Sequence, residues 1–290
     1  QLVYQFGKAV GQQCKRMGIQ VNYAPDIDVN NNPNNPVIND RSFGEDKYKV
    51  ALFGIQYMKG MQDMGVMACA KHFPGHGDVA VDSHFDLPVI NKSRAQLDSL
   101  ELYPFRELIK AGVGSMMMAH LYIPAIDSTA NQATSLSKKN VTDLLRNELG
   151  YNGLTFTDAL EMKGVAKFYP AGEAAVQSLI AGNDMLCLPG DVANSIQKIM
   201  EAIATGKLTQ ADIDTKLKKV LISKYHLGLH TNTPIALDNL AEDLNAATNA
   251  IKQKLSEQAL TLLRLENKKL LPLFSKKKII YVPTFMKNSV

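Results

Sequence analysis

The feature that most limits what this chain can fold into is a series of short apolar runs, each ending in polar, chemistry-bearing residues. Val66-Met67-Ala68-Cys69-Ala70 leads into Lys71-His72-Phe73-Pro74-Gly75-His76-Gly77-Asp78, Val113 to Ala119 leads into His120, and Gly153 to Thr157 delivers Asp158. Runs of this length suit strands buried on both faces, as in parallel sheets. Helical spacings lie between them: Leu2, Phe6, Val10, Cys14 and Met17, ending at Gly18; then Val50, Phe53, Tyr57, Met58 and Met61; then Leu97, Leu100, Phe105 and Leu108, ending near Gly112; then Val141, Leu144, Leu145 and Leu149, ending at Gly150. This β-α alternation predicts an α/β fold with a parallel sheet or barrel. Ligands bind at the carboxyl ends of such strands, so the polar residues are expected to converge on one site.

Ile19, Val21 and Tyr23 predict a further strand closed by Ala24-Pro25, and Ser42 with Glu45 has capping-box spacing before the second helix. A helix is expected from Ala171 to Gly182, a strand over Met185 to Leu188, and a helix from near Asp191. Gly228 to Asp243 reads as linker, followed by a helix from Ala247 to Leu260, the segment Leu270-Leu271-Pro272-Leu273 and a strand Ile279 to Val282. The expected organisation is a catalytic unit over 1–228, linker and helix over 229–259, and the start of a second α/β domain over 260–290. Gln1 falls inside a helical pattern with no initiator Met, so further residues are expected upstream, and with them any targeting signal.

With 46% hydrophobic and 21% charged residues and a net charge of +4, the chain has the composition of a globular protein. No dense Lys/Arg stripe with interleaved aromatics supports nucleic-acid binding, and Lys276-Lys277-Lys278 reads as a solvated strand flank. No apolar run approaches the ~20 residues of a membrane span. Cys14, Cys69 and Cys187 are scattered in apolar contexts and are expected to be core thiols.

Pro74, Gly75 and Gly77 forbid regular structure after the second strand and let the backbone approach a ligand closely. Asp82 and His84 are two apart, so in an extended loop the carboxylate could hold and polarise the imidazole. His72, His76 and His84 share no helical face and have no Cys or H-E-x-x-H company, so no metal site is expected. His76, between glycines, reads as a brace of the loop. Asp26, Asp28, Asn30 and Asn32 alternate as if for calcium, but Asn31 and Val37 stand where an EF-hand needs Gly and Glu, leaving a turn-rich loop. Met116-Met117-Met118 reads as sheet core, and Asp184 as the start of a strand.

Arg41-Ser42-Phe43-Gly44, Lys71 to Gly77, Asp82-Ser83-His84 and Phe156-Thr157-Asp158-Ala159-Leu160-Glu161-Met162 together resemble glycoside hydrolase family 3, in its β-N-acetylglucosaminidase branch. The likeness implies a (β/α)8, TIM-like barrel, here without its first strand-helix unit, and a retaining mechanism. By the same likeness Asp158 is the nucleophile, His84 the acid/base, and Asp82 the residue that orients His84. A loop-borne acid also implies a loop that closes over the substrate. Arg41, Lys71 and His72 match positions that hydrogen-bond the sugar, and His120 is a further candidate for the pocket wall. A sugar-binding aspartate that the family carries on an early strand lies upstream of everything here.

The expected substrates are terminal β-N-acetylglucosaminides such as muropeptides of peptidoglycan or chitooligosaccharides, with no cofactor. Two-domain members are often exported, so a bacterial envelope or secreted location is expected; the oligomeric state is left open. Alternatives are a phosphorylase, since a histidine acid/base does not repel incoming phosphate, a broader β-glucosidase, and a catalytically silent carbohydrate-binding barrel.

Overall fold

The computed structural model describes residues 1–82, 85–170, 172–231 and 233–261. Four parallel strands, β1 (Val21–Asn22), β2 (Met67–Phe73), β3 (Ser115–Met118) and β4 (Leu154–Thr157), pair in chain order. Helix α1 (Leu2–Arg16) precedes β1, and between the strands run α2 (Lys47–Gln62), α3 (Arg94–Ser99), α4 (Leu102–Lys110) and a π-type helix over Lys139–Glu148. After β4 come α5 (Lys163–Ala166), α6 (Glu173–Ala181), α7 (Val192–Ala204), α8 (Gln210–His226), α9 (Leu240–Asn245) and α10 (Thr248–Ala259).

Register is direct, with Cys69 opposite Ser115 and Ser115 opposite Leu154. An irregularity between Ala70 and Phe73 shifts β2 against β3 just where the site residues begin. The sheet is apolar on both faces. Ala68, Ala70, Met116 and Met118 pack outward with Val50, Met58, Phe105 and Leu108 of the helices, whereas Cys69, Met117, Leu154 and Phe156 fill the concave face, joined by Val220 of α8. The alternation within Met116-Met117-Met118 thus divides one run between two cores, as expected for a parallel strand.

The architecture is a curled parallel sheet with outer helices, a half-barrel; eight-fold closure is not seen among the described residues. Other expectations need correction. The segment Met185 to Leu188 makes an isolated bridge from Met185 to Phe156 instead of a strand, and Asp184 turns back to bond Thr155. The second strand does not stop at Ala70 but runs through Lys71 and His72 to Phe73. The Ser42–Glu45 box does not form: Asp46 caps α2, accepting from the Tyr48 and Lys49 amides, while Ser42 Oγ donates to the Asp28 carbonyl. Cys69 is buried, but Cys14 and Cys187 are half-buried. Helix α1 meets α2 most closely at Gly7 and Gly11, with Val3 and Val10 packed beside them. A Cβ at Gly7 would stand 2.2 Å from the Tyr57 carbonyl oxygen, so the two backbones touch, and Phe6 lies at the rim with its ring edge-on to Tyr57 at 5.4 Å. The long helix α8 and the short α9, which interrupts the expected linker, add to the predicted elements. His84, Leu270 to Leu273 and Ile279 to Val282 lie outside the described residues.

Candidate active site

The carboxyl ends of β1, β2, β3 and β4 gather the polar residues. After β1 the chain turns through Pro25 and lays Asp26 beside Lys71, with the Ile27 amide donating to the Lys71 carbonyl at 2.8 Å. This antechamber of backbone pairing places Asp26 and Asp28 side by side beneath His72.

Asp28 is fully buried and saturated: it accepts the His72 ring Nδ1–H at 2.7 Å, the His72 amide at 3.2 Å and the His76 amide at 2.6 Å. Burial opposes its charge, yet His72, through charge and hydrogen bonding, holds the Asp28 carboxyl below its ordinary range. The reciprocal holds for His72, whose proton affinity burial would lower but Asp28, Asp26 and Asp158 raise. With Nδ1–H fixed on Asp28, His72 presents Nε2 toward Arg41, whose Nη2 lies 3.3 Å away.

Arg41 also stands 3.5 Å from Asp26. Burial first, and Asp28 second, push the Asp26 carboxyl up to about 7, with His72 and Arg41 pulling the other way. Two carboxylates this close do not both ionise freely, and here Asp28 takes the charge. Asp26, Asp28 and His72 could geometrically hold a metal ion. The donor chemistry argues for an ion-pair network, because the Nδ1 proton of His72 and the guanidinium of Arg41 already fill the cationic positions.

The turn after β2 is locked from three sides. Asn35 donates to the His76 and Gly77 carbonyls at 2.8 and 3.0 Å, and Lys92 bridges Asp78, at 2.7 Å, to the buried Glu101. Gly75, at φ 130°, has Glu101 within 2.7 Å of where a Cβ would be. Gly77 lies against the Val29 carbonyl so closely that a Cβ would be 1.8 Å from it. These contacts explain both glycines and the bracing role of His76, which is buried and pushed down to about 4, by burial and then by His72.

Asp158 leaves β4 with its amide bonded to the Met118 carbonyl at 2.9 Å, and its Oδ1 accepts the Ala159 amide at 2.9 Å. Burial would raise its carboxyl, but His72 foremost, then His120, the Ala159 amide and His76, hold it below the ordinary carboxylate range. It is therefore ionised at neutral pH. His120 is fully buried; its Nδ1 meets Ser135 Oγ at 2.7 Å and its Nε2–H donates to the Ala159 carbonyl at 2.9 Å. This makes it a brace of the Ala159–Leu160 peptide that follows Asp158.

Arg41, His72, His120 and Asp158 are thus brought together, and Lys71 stands half-buried beside His72 on β2. Asp82 is half-buried, with its carbonyl accepting the Phe85 and Asp86 amides. Its expected partner His84 lies outside the described residues. The segment that follows is anchored: Leu87 packs with Leu160 and Val165, and Asp86 pairs with Lys167 at 3.2 Å. The residues missed from sequence are Asp26 and Asp28, read as turn formers. Their signal was present, as two carboxylates two residues apart directly after a strand ending in proline.

The family model for the glycosyl hydrolase family 3 N terminal domain matches residues 1–222. The chain belongs to that family. It is 34% identical over 94% of its length to β-hexosaminidase A of Pseudoalteromonas piscicida, of which it covers 48%. Among solved structures, a family 3 β-N-acetylglucosaminidase from Paenibacillus sp. str. FPU-7 superposes with a TM-score of 0.83 and 36% identity, covering 92% of this chain and 51% of that one. A β-glucoside phosphorylase, BglX, superposes with a TM-score of 0.85 at 26% identity, covering 94% of this chain and 51% of that one. The chain spans about half the length of these relatives.

Proposed function

We propose that this family 3 chain carries the catalytic half of a retaining β-N-acetylglucosaminidase acting on terminal β-N-acetylglucosaminides of muropeptides or chitooligosaccharides. The observation that carries this reading is Asp158 at the end of β4, its amide bonded to the Met118 carbonyl and the next residue, Ala159, held by His120. Asp158 attacks the anomeric carbon while His84 protonates the departing oxygen; water, activated by the now neutral imidazole, then releases the sugar from Asp158. Asp82 orients His84, and Arg41, Lys71 and His72 hydrogen-bond the sugar, with the guanidinium and ammonium as donors. Both chemical roles fall to side chains, so the reaction calls for no cofactor.

In this reading 1–228 belongs to a (β/α)8 barrel without its first strand-helix unit, and 260–290 is the start of a second α/β domain. The names of the β-hexosaminidase and β-N-acetylglucosaminidase relatives support the substrate class. The likeness to a β-glucoside phosphorylase favours one competing reading, in which phosphate replaces water as the second nucleophile.

The test is release of the aryl group from an aryl β-N-acetylglucosaminide, with and without phosphate, beside the matching β-glucoside. Turnover of the N-acetyl substrate alone, indifferent to phosphate, is expected. Acceleration by phosphate with a sugar-phosphate product would make the enzyme a phosphorylase, and silence from folded protein would leave a binding role. His84→Ala should slow substrates with poor leaving groups far more than the activated aryl glycoside, since only the former need protonation; equal losses would remove His84 from the acid role.

A further inference from the structure

The other end of β4 holds a second concentration of charge, about 13 Å along the strand from Asp158 at ~3.3 Å per residue. There Arg146, from the π-type helix, donates to the Tyr151 and Gly153 carbonyls at 3.1 and 2.5 Å, to Thr155 Oγ1 at 3.0 Å and to Asp184 Oδ2 at 2.6 Å. Both of its terminal nitrogens are thus engaged within the protein. Asp184 is likewise engaged, accepting the Thr155 amide at 3.0 Å and standing 3.6 Å from Lys219.

Beside this pair opens a cleft of about 440 Å³ whose apolar wall is Leu179, Ile180 and Leu208. Lys138, Lys207, Lys216 and Lys219 line it, supplied by the start of the π-type helix, the loop after α7, and α8. The acidic groups facing them are Asp184 and Asp212, and Asp212 is occupied in the capping box with Thr209 at the start of α8. The cations therefore outnumber the carboxylates, and the carboxylates already have partners. Lys216 and Lys219 are each half-buried and pushed below the ordinary lysine range, by burial first; for Lys216 the repulsion of Arg146 and Lys219 adds to it, and for Lys219 that of Arg146. Asp184 opposes the shift at both without cancelling it.

We propose that this cleft is a binding site for a small organic phosphate or diphosphate, separate from the catalytic end. Several ammonium groups without a free guanidinium fork suit a compact multiply charged anion, which lysines bind as point charges. A single carboxylate would leave most of the surplus unneutralised. The volume exceeds that of a bare phosphate and falls within the range of small-molecule sites, so the apolar wall receives the group that bears the phosphate. The site does not depend on the proposed glycosidase activity and is tested without it.

The experiment is calorimetric titration of inorganic pyrophosphate into the chain at constant ionic strength, with sulfate titrated in parallel. Saturable binding at one site, stronger for pyrophosphate than for sulfate, is expected. Lys216→Gln and Lys207→Gln, made separately, should each weaken it, Lys216→Gln by about tenfold or more as the loss of a half-buried charge-assisted bond. Arg41→Gln, at the catalytic end, should leave the affinity unchanged. Three results would each overturn the proposal: no saturable binding, binding unaffected by both lysine variants, or binding lost in Arg41→Gln, which would put the anion among the sugar-binding residues.

Discussion

At its carboxyl end β4 delivers Asp158 into a group where Asp26 and Asp28 also converge, faced by His72 and Arg41; at its amino end the same strand is flanked by Arg146 and lysines gathered around Asp184. Both ends are built on a buried carboxylate that accepts a protein cation and a backbone amide. They differ in what is left over. Around Asp158 the carboxylates raise the proton affinity of His72, and burial and then Asp28 raise that of Asp26, while Asp28 and Asp158 stay below the ordinary carboxylate range. Around Asp184 the cations outnumber the carboxylates, and burial first, with the repulsion of Arg146 added, holds Lys216 and Lys219 below their usual range. One end is thus suited to chemistry that exchanges protons, the other to holding an anion.

The largest effect that would sharpen this contrast is expected from Asp158→Asn, which should cut turnover by at least about 10⁴-fold while leaving the fold and the amino-terminal cleft intact. An active variant would remove Asp158 as nucleophile. Asp28→Asn comes next. Breaking a buried pair leaves a charge uncompensated and costs about 3–5 kcal/mol, read by denaturant unfolding. It also has a signature that mere destabilisation lacks: without Asp28 the raised proton affinity of His72 falls, so the alkaline limb of the pH–activity profile should move to lower pH. An unmoved limb would make Asp28 purely structural.

Arg146→Met applies the same operation to the other end. Lys219 remains beside Asp184, so the loss is expected near the lower edge, about 3 kcal/mol, with kcat and KM on the aryl glycoside unchanged. A fall in kcat would show that the ends are coupled. The smallest effect is expected from Asp26→Asn. A carboxyl whose folded value is raised favours the folded state below its unfolded value of about 3.9 and loses that contribution as pH rises to about 7. The variant should therefore flatten the decline in stability across that window and shift any limb of kcat/KM near pH 7; profiles that superpose on the parent would show that Asp26 does not titrate there.

How much of this was legible beforehand differs between the ends in the same way. Arg41, Lys71, His72 and Asp158 sit in local motifs at strand ends, and local order is what a sequence displays. Asp26 and Asp28 were visible but misread, because alternating Asp and Asn residues after a proline satisfy turn chemistry as readily as a buried network. Only the pairing of Asp26 with Lys71 separates the two readings. The lysine cleft left no motif, since Lys207, Lys216 and Lys219 read as ordinary surface lysines and only the fold brings Lys138, from far upstream, beside them. His120 shows a third case: its position after β3 was foreseen, but its two ring bonds to Ser135 and Ala159, which make it a brace, were not.

The sequence by itself determined the β-α alternation through β4 and the end of the sheet at which Asp158 emerges, because hydrophobic period and glycine or proline punctuation act over a few residues. The tertiary structure alone decided which carboxylate is charged, which histidine is a support, and where the surplus lysines meet. Those properties depend on burial and on charges brought together from distant segments, and electrostatic energies are set by distances in space that spacing along the chain does not specify.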